Sequence, residues 1–201
     1  MPHYTKDDST GDVACDSYHL YDEDIELLTD LGVNFYRFSM SWSRLLPTGF
    51  RNRINPDGVR YYNALIDGLL QRGIMPMVTL YHWDLPQPLQ DLGGWANPFV
   101  AKYFVDYADV VFGLFDRKVP FWITFNEPIE VCEGGYGEGV NAPNVNSSGI
   151  GSYVCGYNIL RAHAGAYHLY KNKYGKGKEQ PLEGTPSVVP AQRNRCSTML
   201  P

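Results

Sequence analysis

At 201 residues the chain is long enough for one domain with a sizeable core. Hydrophobic residues at 44% and charged residues at 19% exclude a disordered chain, and a net charge of −5 with a pI near 5.5 argues against a nucleic-acid surface. No apolar run is long enough to span a membrane, and residues 1–9 hold no apolar segment of the kind a secretory leader needs.

The elements follow one another in a repeating order. A helix is expected over about residues 20–31, with Ile25, Leu28 and Leu31 on one face and Gly32 as its stop. Residues 33–39 read as the first strand. Asn55 then caps a helix, Pro56 fits its first turn and Asp57 suits the positive end of its dipole. Val59, Tyr62, Leu65, Ile66, Leu69 and Leu70 form its apolar stripe, and Gly73 ends it. Residues 74–80 are the second strand.

Asn97-Pro98 opens a helix carrying Val100, Phe104, Tyr107, Val111 and Leu114, and residues 119–125 form the third strand. A last helix is expected over about 152–174, with Tyr153, Tyr157, Leu160, Ala164 and Tyr167 on one side. Residues 175–201, rich in Gly, Pro and Lys, read as an irregular tail in which Ser187-Val188-Val189 is too short to be a strand. Strands separated by helices of this length imply parallel βα units, whose ligand sites lie at the carboxyl ends of the strands.

Those ends are chemically unusual. The second strand runs into His82-Trp83-Asp84, and the third ends in Asn126-Glu127-Pro128, although polar side chains are costly in a core. A carboxyl group beside apolar strand residues resists ionisation, which suits a general acid, so Glu127 is the first catalytic candidate. Asn126 can donate to a substrate hydroxyl. His82 and Trp83 offer a hydrogen-bonding group and an apolar platform, as a sugar ring requires, although a lone His-Trp pair is more often packing than ligand recognition. Arg37, inside the first strand, reads as a buried guanidinium in need of an anion. It either orients a catalytic carboxylate or pairs with an ordinary Asp or Glu.

Four cysteines, Cys15, Cys132, Cys155 and Cys196, lack metal-ligand spacing; a Cys132–Cys155 bridge and free buried thiols are both open. No dinucleotide fingerprint, phosphate loop or metalloprotease motif is present, so neither cofactor nor metal is expected. Asn146-Ser147-Ser148 is an N-glycosylation sequon that would be used only in a secreted protein, and localisation stays open.

Together, "YRFSMSWSRLLPTG" (36–49), "LYHWDLPQPLQDLGGW" (80–95) and "WITFNEP" (122–128) resemble family 1 glycoside hydrolases, the β-glucosidase, lactase-like and myrosinase group. "GDVACDSYHLYDEDIELL" (11–28) and "CGYNILRAHAGAYHLY" (155–170) extend the likeness over most of 11–174, with 175–201 as a divergent tail. The resemblance implies a TIM (β/α)8 barrel, here incomplete, lacking the first strand and the C-terminal half. It implies retaining hydrolysis of a β-glycoside, with Glu127 as acid/base, Asn126, His82 and Trp83 on the glycone, and Arg37 against the nucleophile. The myrosinase branch departs from Glu at the acid/base position, so Glu127 speaks for an O-glycosidase. The family's nucleophile lies in a Thr-Glu-Asn-Gly motif, and no Glu-Asn-Gly occurs in these 201 residues. A non-catalytic, sugar-binding relative is the alternative.

Overall fold

The structure is a computed structural model that describes residues 10, 11 and 13–175, together with the backbone of Val188–Val189. Its elements alternate. Helix α1 (Ser17–Asp30) leads into β1 (Phe35–Ser39) and the single turn α2 (Trp42–Leu45). The unit α3 (Pro56–Gln71) and β2 (Met75–Tyr81) follows, then the short α4 (Gln87–Asp91) and a 3-10 turn (Gly94–Ala96). Helix α5 (Pro98–Phe115) precedes β3 (Phe121–Phe125), which runs into α6 (Pro128–Cys132) and a π turn (Glu133–Gly137). Helix α7 (Gly151–Leu169) closes the series with a second π turn (Tyr170–Tyr174). No helix among the described residues is long and apolar enough to cross a membrane.

The helix starts follow from local chemistry. Asn55 accepts from the Asp57 backbone N–H at 3.2 Å, and Asn97 accepts from that of Phe99 at 3.0 Å. Each is followed by a proline at the first helical position, where no backbone N–H is needed. Gly73, at φ 71°, turns the chain out of α3 and into β2.

The strands lie parallel in the order β1-β2-β3-β4, where β4 is Val188–Val189. That pair, too short to be recognised in the sequence, docks on β3 with Val188 opposite Trp122 and Val189 opposite Ile123. Two β-branched residues carry no periodicity, so only the neighbouring strand could reveal them. Apart from Gly175 and this pair, the irregular tail expected over 175–201 lies outside the described residues, as does Cys196.

Register assigns the two faces of the sheet. Phe38, Val78 and Trp122 are aligned, and so are Ser39, Thr79 and Ile123. Val78, Leu80, Trp122 and Thr124 are fully buried on the face that meets the helices. The other face is covered only near the strand ends, and Phe35 and Met75, at its N-terminal edge, are 57% and 42% exposed. Parallel sheets ordinarily have both faces covered, and here one face stays open at its N-terminal edge.

Helix α7 turns to water the side that the sequence marks out. Tyr153, Tyr157, Leu160 and Tyr167 are exposed, as is Ala164, whereas Cys155, Ile159, Ala162 and Ala166 are buried. The reason is close packing on α5. A Cβ on Gly165 would approach Val105 Cγ2 to 2.6 Å, so the face that meets α5 must be built from small residues and the large ones lie outside. The same face brings Cys155 to Cys132, and the two form a disulfide with a Cα–Cα distance of 5.4 Å. Cys15 is free and exposed.

The bridge closes a loop across a separation of 23 residues. Replacing Cys132 and Cys155 together by Ser should lower the unfolding free energy by about 3 kcal/mol, the chain-entropy value for a loop of this size. Urea denaturation of the double variant against the oxidised protein measures it.

Candidate active site

The carboxyl ends of β1, β2 and β3 bring together most of the residues singled out in the sequence. At their centre is Asn126, 8% exposed, with all four of its polar groups committed. Its backbone N–H donates to the Tyr81 carbonyl at 2.9 Å, and its carbonyl accepts from the indole Nε1 of Trp83 at 3.1 Å. Its side-chain Oδ1 accepts from Arg37 Nη2 at 2.5 Å, and its Nδ2 donates to Glu127 Oε2 at 3.2 Å. A row Arg37–Asn126–Glu127 therefore crosses from β1 to β3. Thr79 on β2 lies on the way and accepts from Arg37 Nε at 3.1 Å.

Two residues of the site hold backbone conformations that side chains disfavour. Trp83 has φ 81° and Glu127 has φ 43°, each just past the end of its strand. Such conformations cost about 1–3 kcal/mol each, and they concentrate where a side chain must be aimed for function. The hydrogen bonds of Asn126 hold both turns from the inside.

Two expectations about this region are corrected. Arg37 is exposed, not buried, and among the described residues its side-chain partners are Thr79 and Asn126, with no carboxylate. The inner face of the sheet is open beside β1, so water can solvate the guanidinium where a buried one would need an anion. Glu127 is likewise exposed and not enclosed by the apolar strand, because the chain turns at Asn126 and carries the carboxyl past the strand's packed end. Thr79 went unrecognised as a partner of Arg37; its only signal is a polar residue on the inner face of an otherwise apolar strand.

His82 is exposed and lines a groove of about 430 Å³ with Arg37, Ser39 and Thr79. Partial desolvation and the neighbouring Arg37 charge hold its imidazole below the usual histidine range, while Glu127 opposes that shift. The shift favours the neutral ring, which can donate or accept. Its centroid is 6.0 Å from that of Trp83. Behind the site, His163 on α7 shares a 2.8 Å hydrogen bond with the buried Thr124 hydroxyl, and burial lowers its pKa. Asn146 lies apart, exposed on the loop between the first π turn and α7.

Parallel βα units thus present an amide–carboxylate pair and an aromatic at their strand ends, where such folds hold their ligand sites. The family model for glycosyl hydrolase family 1 matches residues 1–199, and the chain belongs to that family. It is 51% identical over 173 residues to myrosinase 1 of Brevicoryne brassicae, covering 86% of this chain and 37% of that protein. It is 52% identical over 174 residues to human lactase/phlorizin hydrolase, covering 86% of this chain and 9% of that one. Among solved structures, the Thermotoga maritima β-glucosidase in complex with castanospermine superposes with a TM-score of 0.82 at 47% identity, over 85% of this chain and 38% of that one. The architecture is thus part of a family 1 TIM barrel, and the chain spans less than two-fifths of the length of these relatives.

The two histidines make stability acid-sensitive. A pKa lowered on folding means that the unfolded chain takes up the proton first, so stability is full above the ordinary value of about 6.5 and falls as the pH drops through it. Thermal melts between about pH 7.5 and pH 5 should show this loss. His163→Gln should flatten the dependence, and His82→Gln should do so less because His82 is exposed.

Proposed function

We propose that these residues are the acid/base half of a retaining β-glycosidase site. Glu127 protonates the departing glycosidic oxygen and later activates water, Asn126 hydrogen-bonds the glycone 2-hydroxyl, and His82 and Trp83 hold the sugar. Arg37 sets the charge beside the nucleophile. The observation that carries this reading is the hydrogen-bonded row Arg37–Asn126–Glu127, which fixes a carboxyl and an amide side by side at the strand ends. In a retaining mechanism a second carboxylate stands about 5–5.5 Å from the first and attacks the anomeric carbon. No sequence of the family's nucleophile type occurs in these 201 residues, so we assign glycosyl transfer to the longer barrel and not to this chain alone. Residues 1–174 then form the glycosidase segment and 175–201 a divergent extension. The same absence supports the second reading, a sugar-binding relative without turnover.

The Cys132–Cys155 bridge favours an oxidising compartment, and the exposed sequon at Asn146 lies within the loop it closes. Both fit a secreted or luminal protein carrying a glycan at Asn146.

The purified 201-residue chain should release no aglycone from an aryl β-glucoside above background. A burst of release that Glu127→Gln abolishes would overturn this. In a full-length parent, Glu127→Ala should slow alkyl glucosides by about 10²–10⁴, the usual worth of general acid catalysis. Glycosyl-enzyme formation from a dinitrophenyl glucoside, whose leaving group needs no proton, should be far less affected. Its breakdown should then limit turnover, and azide should restore it, giving the β-glycosyl azide. Equal losses on both substrates without azide rescue would make Glu127 a structural residue.

A further inference from the structure

We propose that the cavity between the segment following β2 and the loop following the first π turn is a second saccharide-binding site, which seats one pyranose unit against Trp83. The cavity measures about 480 Å³. That lies within the range of about 300–1,000 Å³ typical of small-molecule sites. Of the residues assigned to the glycone and to catalysis, only Trp83 borders it; Arg37, His82, Asn126 and Glu127 do not. Trp83 is therefore shared by two sites.

The walls have the chemistry of a sugar subsite. Trp83 is 41% exposed, and its indole N–H is committed to the Asn126 carbonyl, so the ring is fixed while part of it stays open to solvent. An immobilised aromatic face of this kind suits the C–H face of a pyranose. The polar groups around it are also held in fixed orientations. Gln87 Nε2 donates to Asp91 Oδ1 at 2.7 Å, which leaves Gln87 Oε1 and the second Asp91 oxygen as acceptors. Gln90 Oε1 accepts from Tyr136 Oη at 2.8 Å, which leaves its Nε2 as a donor. Asn144 Nδ2 is committed to the Gly139 carbonyl, which leaves Oδ1 as an acceptor.

The Gln90–Tyr136 pair can close here only because residue 94 is glycine. A Cβ at that position would collide with both Gln90 Oε1 and Tyr136 Oη. The amide is thus preorganised in the unliganded protein, which lowers the cost of ordering it on binding.

The walls offer both acceptors and amide N–H donors, and no Lys or Arg lines the cavity. A phosphate or carboxylate ligand would face Asp91 without a counter-charge and is disfavoured. A ligand with several hydroxyl donors and one apolar face satisfies the walls, and a pyranose is such a ligand. The site stands independently of the role proposed for Glu127.

The test is titration of the 15N-labelled chain with cellobiose, following the side-chain NH2 resonances of Gln87, Gln90 and Asn144. They should shift saturably in the millimolar range, and methyl β-glucoside, which supplies a single pyranose, should shift the same resonances. Glu127→Gln should leave the response unchanged, since that carboxyl does not line the cavity. Asp91→Ala should weaken binding at least fivefold, and Asn144→Gly, which suits the φ of 63° at that loop position, provides a second variant outside the helices. Sorbitol, a polyol without a ring, should produce no saturable shift. The proposal is overturned if cellobiose perturbs only Asn126 and its neighbours, if sorbitol matches cellobiose, or if both variants bind as the parent does.

Discussion

The candidate site depends on one residue with four hydrogen bonds. Asn126 is nearly buried, and a buried amide left unsatisfied costs about 1–3 kcal/mol for each orphaned group. Here its backbone ties β3 to the end of β2 and fastens the Trp83 ring, while its side chain joins Arg37 to Glu127. Because both faces of the amide are used, neither Arg37 nor Glu127 can reorient without stranding a buried polar group. The left-handed turns at Trp83 and Glu127 are held by the same constraint. Strain of this kind persists only where its surroundings over-determine it, and these hydrogen bonds supply that condition.

The frame behind Asn126 is held from the helix side. Val78, Leu80, Trp122 and Thr124 face the helices and are fully buried, and Thr124 is fastened to His163 of α7. Helix α7 approaches α5 closely through Gly165. It is also joined to the end of α6 by the Cys132–Cys155 bridge, five positions beyond Glu127 in the chain. The segment leaving Glu127 is thus secured at both ends, by the Asn126 hydrogen bonds and by the disulfide. On the inner face the situation is reversed. Phe35 and Met75 are open to solvent there, and Arg37 is exposed.

This contrast bears on how the proposed chemistry is divided. A general acid, the amide beside it and a sugar platform can all be presented by consecutive strand ends of one barrel wall. The attacking carboxylate must stand on the opposite side of the sugar, which a single wall cannot supply. Family membership and the geometry of the row agree with a glycosidase lineage. A retaining mechanism of the kind proposed needs a second carboxylate opposite Glu127, which this wall does not present among the described residues.

Much of this was determined by sequence alone. The caps at Asn55 and Asn97, the glycine at position 73 and the apolar strands are local features, and local geometry follows from them. The polar residues at the ends of two strands marked the site, because such groups are too costly to sit there without purpose. The features that sequence left open or misassigned are all contacts between distant segments. Which face of α7 is buried was decided by how closely α5 can approach, which favours Ala and Gly over the larger Tyr residues. Whether Cys132 and Cys155 pair, and whether Val188–Val189 is a strand, depended on neighbours remote in the chain. The exposure of Arg37 and Glu127 depended on which parts of the sheet are covered, a property that no periodicity records. Sequence specified the chemical groups and the elements that carry them. Only tertiary packing decided which groups meet and which face water, because burial and hydrogen-bond pairing are set by the distance between segments that the chain order does not contain.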